Sequence, residues 1–312
     1  MRAIVMTDWG APAALEELAR PTAADGELLV RVQASSVNGF DLSVLSGMIK
    51  DALPYELPIT LGRDFAGTVE ALGPGVSGYA VGDRVFGVNF KVMLGQPLHD
   101  GTFAEYTAAP TSFTAKIPDG VSTALAGTLG LAGSAAIAAI DAIAPSPNDT
   151  VLISGATGGV GAFAVQLAKA RGATVLATST PDRAEHVMAL GADRSVDHTD
   201  DLAVAVLSSH PDGVDAVVHL AGDGKGLAAV LKSGGRLSST LGHAIDPSSF
   251  TEADVTGVTA TPTTETLEKI GSAVAAGQLI VPIQATYALD DVPRALDDFA
   301  QGTTGKLSIT LS

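Results

Sequence analysis

The sequence predicts an α/β chain in two parts, a β-rich domain followed by a doubly wound parallel sheet, and three observations carry the prediction. Short apolar runs separated by Gly, Pro or Asp occupy roughly residues 1–115; strands and helices alternate regularly from Val151; and a glycine turn joins the first of those strands to its helix.

In the first part, residues 4–6, 27–32, 67–69, 84–86 and 103–107 read as strands of a barrel or sandwich. From residue 122 the texture changes to small apolar residues, and 124–143 reads as a packed helix or helix pair, closed by Ala144-Pro145-Ser146-Pro147-Asn148-Asp149. Beyond it come strand 151–153, helix 160–170, strand 174–177, helix 182–190, strand 194–196, helix 200–208, strand 216–220, helix 224–231 and strands 236–240 and 255–260. Such alternation winds helices over both faces of a parallel sheet. Strand character returns at 280–283, 285–289 and 306–311, around a helix at 291–300. The expected domains are therefore 1–118, completed by 279–312, and 119–278.

A chain of 312 residues, 46% of them hydrophobic, can bury a sizeable core in each of two domains. Thirty-four acidic residues against 18 basic ones give a net charge of -16, which repels nucleic acid and anionic membrane surfaces and removes both as expected partners. The absence of cysteine excludes disulfides, thiolate nucleophiles and cysteine-held zinc or iron-sulfur centres. Asp8 arrives too early for a signal peptide, and no apolar run approaches a membrane span, so a cytoplasmic location is expected.

The glycine turn carries the chemistry. Val151-Leu152-Ile153 is a short buried strand, and from Val160 apolar residues recur at helical spacing through Phe163, Ala164, Leu167 and Ala168. Between them Gly155, Ala156, Thr157, Gly158, Gly159, Val160 and Gly161 allow a tight turn, close approach of the backbone to a pyrophosphate, and free amides at a helix N-terminus. This is the dinucleotide-binding arrangement of Rossmann domains. In such domains an acid ending the second strand bonds the ribose 2′-hydroxyl of NAD. Here the strand ends Thr178-Ser179-Thr180-Pro181-Asp182-Arg183: Ser179 can donate to a 2′-phosphate and Arg183 can pair with it, so NADPH is the expected cofactor. Asp182, behind Pro181, reads as a first-turn acid of the next helix.

Gly62-Arg63-Asp64-Phe65-Ala66-Gly67-Thr68-Val69, then Gly73-Pro74-Gly75-Val76 and Gly82-Asp83-Arg84-Val85, resemble the signature of the medium-chain dehydrogenase/reductase superfamily. Ser36-Val37-Asn38-Gly39-Phe40-Asp41, Leu131-Ala132-Gly133, Leu190-Gly191-Ala192-Asp193 and Gly305-Lys306 also fit, so the resemblance spans the chain and is strongest to the zinc-independent quinone oxidoreductase branch. It implies a GroES-like β domain joined to a Rossmann domain, and commonly a homodimer. Where zinc alcohol dehydrogenases of the superfamily place Cys, His and Cys ligands, this chain has Asn38, Arg63 and Leu131. The expected chemistry is hydride transfer from NADPH to a quinone, with an enone as alternative and a catalytically silent NADPH-binding protein as rival.

The resemblance also suggests site residues. Asn38 orients cofactor or substrate carbonyl, or caps backbone groups. Asp41 and Arg63 form a structural pair or an acid-catalytic one. His198 meets the 2′-phosphate or lies exposed at a strand end. Leu220, Ala221, Leu241 and Gly242 end two later strands at the sheet edge where dinucleotides bind, and Lys306 joins the cofactor-binding set. His243 is expected to face substrate, and His219 to be packed within its strand. Residues 48–58 and 89–101, with Phe40, Phe90 and Met93, are expected to set the acceptor pocket.

Overall fold

The computed structural model describes residues 1–241, 245, 248, 250 and 252–311, and the main chain alone at Lys225. Chain order begins with β1 (Arg2–Met6), β2 (Ala14–Glu17), β3 (Glu27–Ser36), α1 (Gly39–Leu45), β4 (Ile59–Thr60), β5 (Asp64–Leu72), β6 (Arg84–Val88), β7 (Tyr106–Pro110), β8 (Thr114–Lys116) and α2 (Thr123–Ala126). After α3 (Gly130–Ile143) follow β9 (Thr150–Ser154), α4 (Gly159–Ala170), β10 (Thr174–Ser179), α5 (Ala184–Ala189), β11 (Arg194–Asp197), α6 (Leu202–Leu207), β12 (Val214–His219), α7 (Lys225–Ala228), β13 (Leu231–Ser239) and β14 (Asp254–Gly257). The chain ends with α8 (Thr264–Ala275), β15 (Ile283–Ala288), α9 (Val292–Ala300) and β16 (Lys306–Thr310).

Two compact units result, Met1–Leu131 with Pro262–Ser312, and Ala132–Thr261. The first is β-rich, as the sequence predicts. A 7-stranded sheet runs β15-β16-β3-β5-β6-β8 with β7 also on β3, beside a 3-stranded sheet β2-β1-β4. Alternation along β3 buries Leu28, Val30 and Val32 against Phe65, Val69, Val85, Leu307 and Ile309. β16 pairs antiparallel with β3, Ser308 opposite Ser36, which brings the C-terminal strands into this unit.

The second unit is a 6-stranded sheet of order β11-β10-β9-β12-β13-β14, parallel throughout. That is the doubly wound order, whose reversal falls between β9 and β12. Leu152, Leu176, Val196, Val217 and Leu237 fill its core.

The units divide at 131 and 261, not at 118 and 278. The cause is α8, which the sequence reading passes over: Thr263 caps it by accepting from Thr266 N, and Leu267 and Ile270 are buried. Gly271 of α8 lies against Pro118 and Phe86, where an added Cβ would meet Pro118 at 3.1 Å, so the helix belongs with the first sheet. β13 also starts earlier than expected: Leu231 pairs with Val214 before a register shift that resumes at Arg236 opposite Ala216. Among the described residues no helix is long and apolar enough to cross a membrane.

The close pairing of β3 and β5 depends on Gly67, where an added Cβ would overlap the Arg31 carbonyl oxygen. Both neighbours are backbone in a ladder, so neither can yield cheaply. Gly67→Ala is expected to destabilise the fold by about 3 kcal/mol or more, read as a lower midpoint in thermal unfolding; an unchanged midpoint would contradict the packing.

Candidate functional site

In the second unit, β9 delivers the glycine turn. Gly155 takes φ +80, a left-handed conformation that favours glycine, and its N–H donates to Thr178 Oγ1 at 2.9 Å. Gly158 is the N-cap of α4, and a Cβ on Gly161 would overlap the Gly155 oxygen and the Ala156 backbone. The turn is therefore folded tightly on the helix, whose first-turn amides have no partners within the helix. That is a cradle for an anionic pyrophosphate, with the fractional positive charge of the helix end behind it. Leu220 N donates to Ser154 O at 3.1 Å, and Ser154 Oγ donates to Ala221 O at 2.7 Å, so Leu220 and Ala221 stand beside this turn.

At the end of β10 the structure redistributes the expected roles. Ser179 is 1% exposed; its hydroxyl donates to Thr180 O at 2.9 Å and lies 2.7 Å from Ser195 Oγ, so its proton is engaged internally. This corrects Ser179 as a donor toward a ligand. Strand alternation puts Ser179 on the same face of the sheet as Ser195 of β11, while Thr180 lies one residue past the strand. Thr180 Oγ1 is buried without a hydrogen bond of ordinary geometry, although it helps hold the Asp182 carboxyl below its usual range. Arg183 is half-buried and forms no ion pair among the described residues. His198 is exposed, its main-chain N donating to Ser179 O at 3.3 Å. Gly242 and His243 lie outside the described residues.

In the first unit the resemblance-derived residues meet in a buried polar cluster. Its hub is Asp64, 0% exposed and not singled out by the sequence reading. Asp64 Oδ2 accepts from Ser36 Oγ at 2.6 Å and Asn38 Nδ2 at 2.9 Å, with Lys306 Nζ 3.5 Å away, while Oδ1 accepts from Leu131 N at 2.7 Å. Lys306 Nζ donates to Asn38 Oδ1 at 2.7 Å and Val37 O at 3.2 Å. Lys306 is 2% exposed, so its assignment to the cofactor is corrected: its ammonium serves the cluster. Desolvation lowers its pKa, opposed by the charges of Asp64 and Asp41.

The second Asn38 Nδ2 contact is with Ser36 O at 3.1 Å, so both amide N–H groups are engaged and none is left for a substrate carbonyl. Asn38 acts here as a structural amide, a correction to its expected orienting contact. Asp41 is fully buried; its carboxylate accepts from Asn38 N at 2.9 Å and Gly62 N at 3.2 Å. Arg63, 2% exposed, donates to the carbonyls of Asn89, Asp100 and Thr60. The expected direct Asp41–Arg63 pair does not form; the two interact only through their fields. Desolvation lowers the Arg63 pKa to about 10 and raises that of Asp41 to about 6, the latter opposed chiefly by Arg63 and the Asn38 N–H. Phe40 and Phe90 meet edge to face with ring centroids 5.1 Å apart, and the Arg63 guanidinium lies 5.9 Å from the Phe40 ring. Met48, Tyr55 and Met93 are exposed. Among the described residues no group of three His, Cys, Asp or Glu side chains has the spacing of a metal site.

A family model described as the alcohol dehydrogenase GroES-like domain matches residues 24–119, and one described as zinc-binding dehydrogenase matches residues 159–261. The 2-methylene-furan-3-one reductase of Solanum lycopersicum is 31% identical over 317 residues, covering 99% of this chain and 79% of that protein. The solved quinone oxidoreductase from Coxiella burnetii has a TM-score of 0.90 at 29% identity, covering 100% of this chain and 99% of that one. A mycobacterial protein solved in complex with NADPH gives a TM-score of 0.85 at 30% identity, over 99% of both chains.

The raised Asp41 pKa has a defined consequence. The folded state holds this proton up to about pH 6 and the unfolded chain releases it near 3.8, so between these values the folded state binds more protons and stability falls as pH rises. The contribution lost is about 3 kcal/mol, and none is lost above the folded pKa. Urea unfolding across pH 4–7 is expected to show this slope in the native protein and a flatter profile in Asp41→Asn; parallel profiles would refute it.

Proposed function

Because the chain belongs to the medium-chain dehydrogenase/reductase superfamily, with quinone oxidoreductases among its relatives, we propose that it is an NADPH-dependent reductase of quinones. It is an oxidoreductase. The observation that carries the choice of NADPH is the end of β10, where Thr180 Oγ1 is buried without a hydrogen bond of ordinary geometry and Arg183 forms no ion pair among the described residues. A hydroxyl and a guanidinium suit a 2′-phosphate, whereas a 2′-hydroxyl would call for an acid. In a protein of net charge -16, a cation that forms no ion pair among the described residues is a local attraction for a phosphate-rich ligand.

NADPH, when bound, supplies the hydride. The chain's own part is to hold the pyrophosphate on the Gly159–Gly161 amides, the adenosine end at Thr180, Arg183 and the exposed His198, and the ribose beside Leu220 and Ala221. In the first unit, the residues standing where zinc relatives carry ligands are Asn38, Arg63 and Leu131, and none offers a thiolate or imidazole. The acceptor must then need little Lewis-acid help. A quinone that accepts a hydride becomes a hydroquinone anion, which takes its proton from water, so no dedicated acid is needed. Half-buried Phe40, backed edge to face by buried Phe90, and exposed Met93 provide apolar surface suited to such a planar acceptor. The enone reading stays second, favoured by the reductase from Solanum lycopersicum.

Mixing the protein with NADPH and a panel of quinones and enones, followed by nicotinamide absorbance, tests this reading. Quinones are expected to turn over fastest; bound but unoxidised NADPH with every acceptor would replace it by a silent binding protein. Arg183→Ala is expected to raise KM for NADPH about tenfold or more, as for a lost charged hydrogen bond, while leaving KM for NADH nearly unchanged. Equal losses for both cofactors would overturn the 2′-phosphate assignment.

A further inference from the structure

We propose that His219, through a one-way hydrogen-bond relay with Ser239, is the positioning residue that sets the wall of the glycine turn and hence its affinity for the dinucleotide; the inference rests on the NADPH reading of that turn. His219 is the last residue of β12 and is 0% exposed. Its register partners are Ser154 of β9 on one side and Ser239 of β13 on the other, so it sits at the carboxyl edge of the sheet, in the strand beside the turn.

The direction of each bond follows from its partners. His219 Nε2 lies 3.1 Å from Gly222 O, and a carbonyl can only accept, so Nε2 carries the proton. Ser239 Oγ accepts from Leu241 N at 3.0 Å and lies 3.0 Å from His219 Nδ1, which in this tautomer has a lone pair to receive the hydroxyl proton. Donation runs from Leu241 N to Ser239, from Ser239 to Nδ1, and from Nε2 to Gly222 O. A neutral imidazole fits because it offers one acceptor and one donor on opposite sides of a rigid ring.

The relay ends on the segment that confines the glycine turn. Gly222 takes φ +85, and the preceding Ala221 is held by Ser154 Oγ. A Cβ on Gly155 would meet Ala221 Cβ at 2.8 Å and Ala221 N at 3.1 Å, so residues 220–222 stand directly against the turn. His219 therefore fixes Gly222 from one side while Ser154 fixes Ala221 from the other. Leu241, at the start of the relay, opens the loop after β13 on the same edge. Without the imidazole, Gly222 O loses this donor and the Ser239 hydroxyl proton loses its acceptor, the loop can move away from Gly155, and the cradle loses its shape without losing any group that touches the cofactor.

The test compares native protein with His219→Leu, His219→Gln, Ser239→Ala and the double variant His219→Leu/Ser239→Ala. NADPH affinity is measured by fluorescence titration, kcat at saturating NADPH, and the native ring tautomer by nitrogen-detected NMR. His219→Leu is expected to weaken NADPH binding about tenfold, with a smaller change in kcat. His219→Gln, which can still donate and accept, is expected to recover most of the loss. The double variant should bind no more weakly than His219→Leu, since both substitutions cut one chain. Native-like affinity in His219→Leu, no recovery in His219→Gln, or fully additive losses would overturn the proposal, as would an Nδ1–H or doubly protonated ring in the native protein. Should His219→Leu not fold, Ser239→Ala, His219→Gln and the tautomer decide. Failure of the native protein to bind NADPH would strike the cofactor reading itself, while the tautomer would still report on the relay.

Discussion

The Asp64 carboxylate is the interaction on which the first unit depends. Its donors come from Ser36 at the end of the long strand β3, from Asn38 just beyond it, from Leu131 at the start of α3, and, at longer range, from Lys306 at the start of β16. A buried carboxylate left alone would be intolerable; one with a cation and several N–H or O–H donors can exist. Gly130 is part of the same requirement, since a Cβ there would come within 2.9 Å of Asp64 Oδ1. The arrangement contributes geometry more than stability: a hydrophobic cluster could bury these positions as well, but would not hold the Asn38 amide in one orientation.

The second unit solves a different problem with shorter side chains. A pyrophosphate cradle needs bare backbone, and bare backbone has no side chains to hold it in place. Thr178, Ser154, His219 and Ser239, all at strand ends, supply that hold by bonding the main chain of neighbouring loops. None needs to touch a ligand. At the end of β10, by contrast, Thr180 Oγ1 is buried without a hydrogen bond of ordinary geometry, and Arg183 forms no ion pair among the described residues.

What was legible in the sequence was local. The glycine turn, the βα alternation and the strands of the first unit show in periodicities of 2 and 3.6 residues, which need no knowledge of the rest of the fold. Helix α8 was passed over because its start, Thr261-Pro262-Thr263-Thr264, also reads as a turn, and the packing of Gly271 on Pro118 and Phe86 that places it with the first sheet leaves no mark in the sequence. Ser179 is the last residue of β10 and Thr180 the first beyond it, a boundary that composition alone could not place. The family signature brought Asn38, Arg63 and Lys306 to attention, but not that Asn38 and Lys306 would satisfy each other. A hydrogen bond between residues so far apart in sequence leaves no trace in spacing.

The division of the chain has a consequence for its birth on the ribosome. The second unit, Ala132–Thr261, is one continuous segment, whereas the first is interrupted by it and needs β16 beside β3 and Lys306 beside Asp64. Emergence from the N-terminus ordinarily lets the leading domain fold first. Here the order inverts: the inserted unit can finish while the leading residues wait, their buried aspartate still without its lysine, for the final strand to be synthesised.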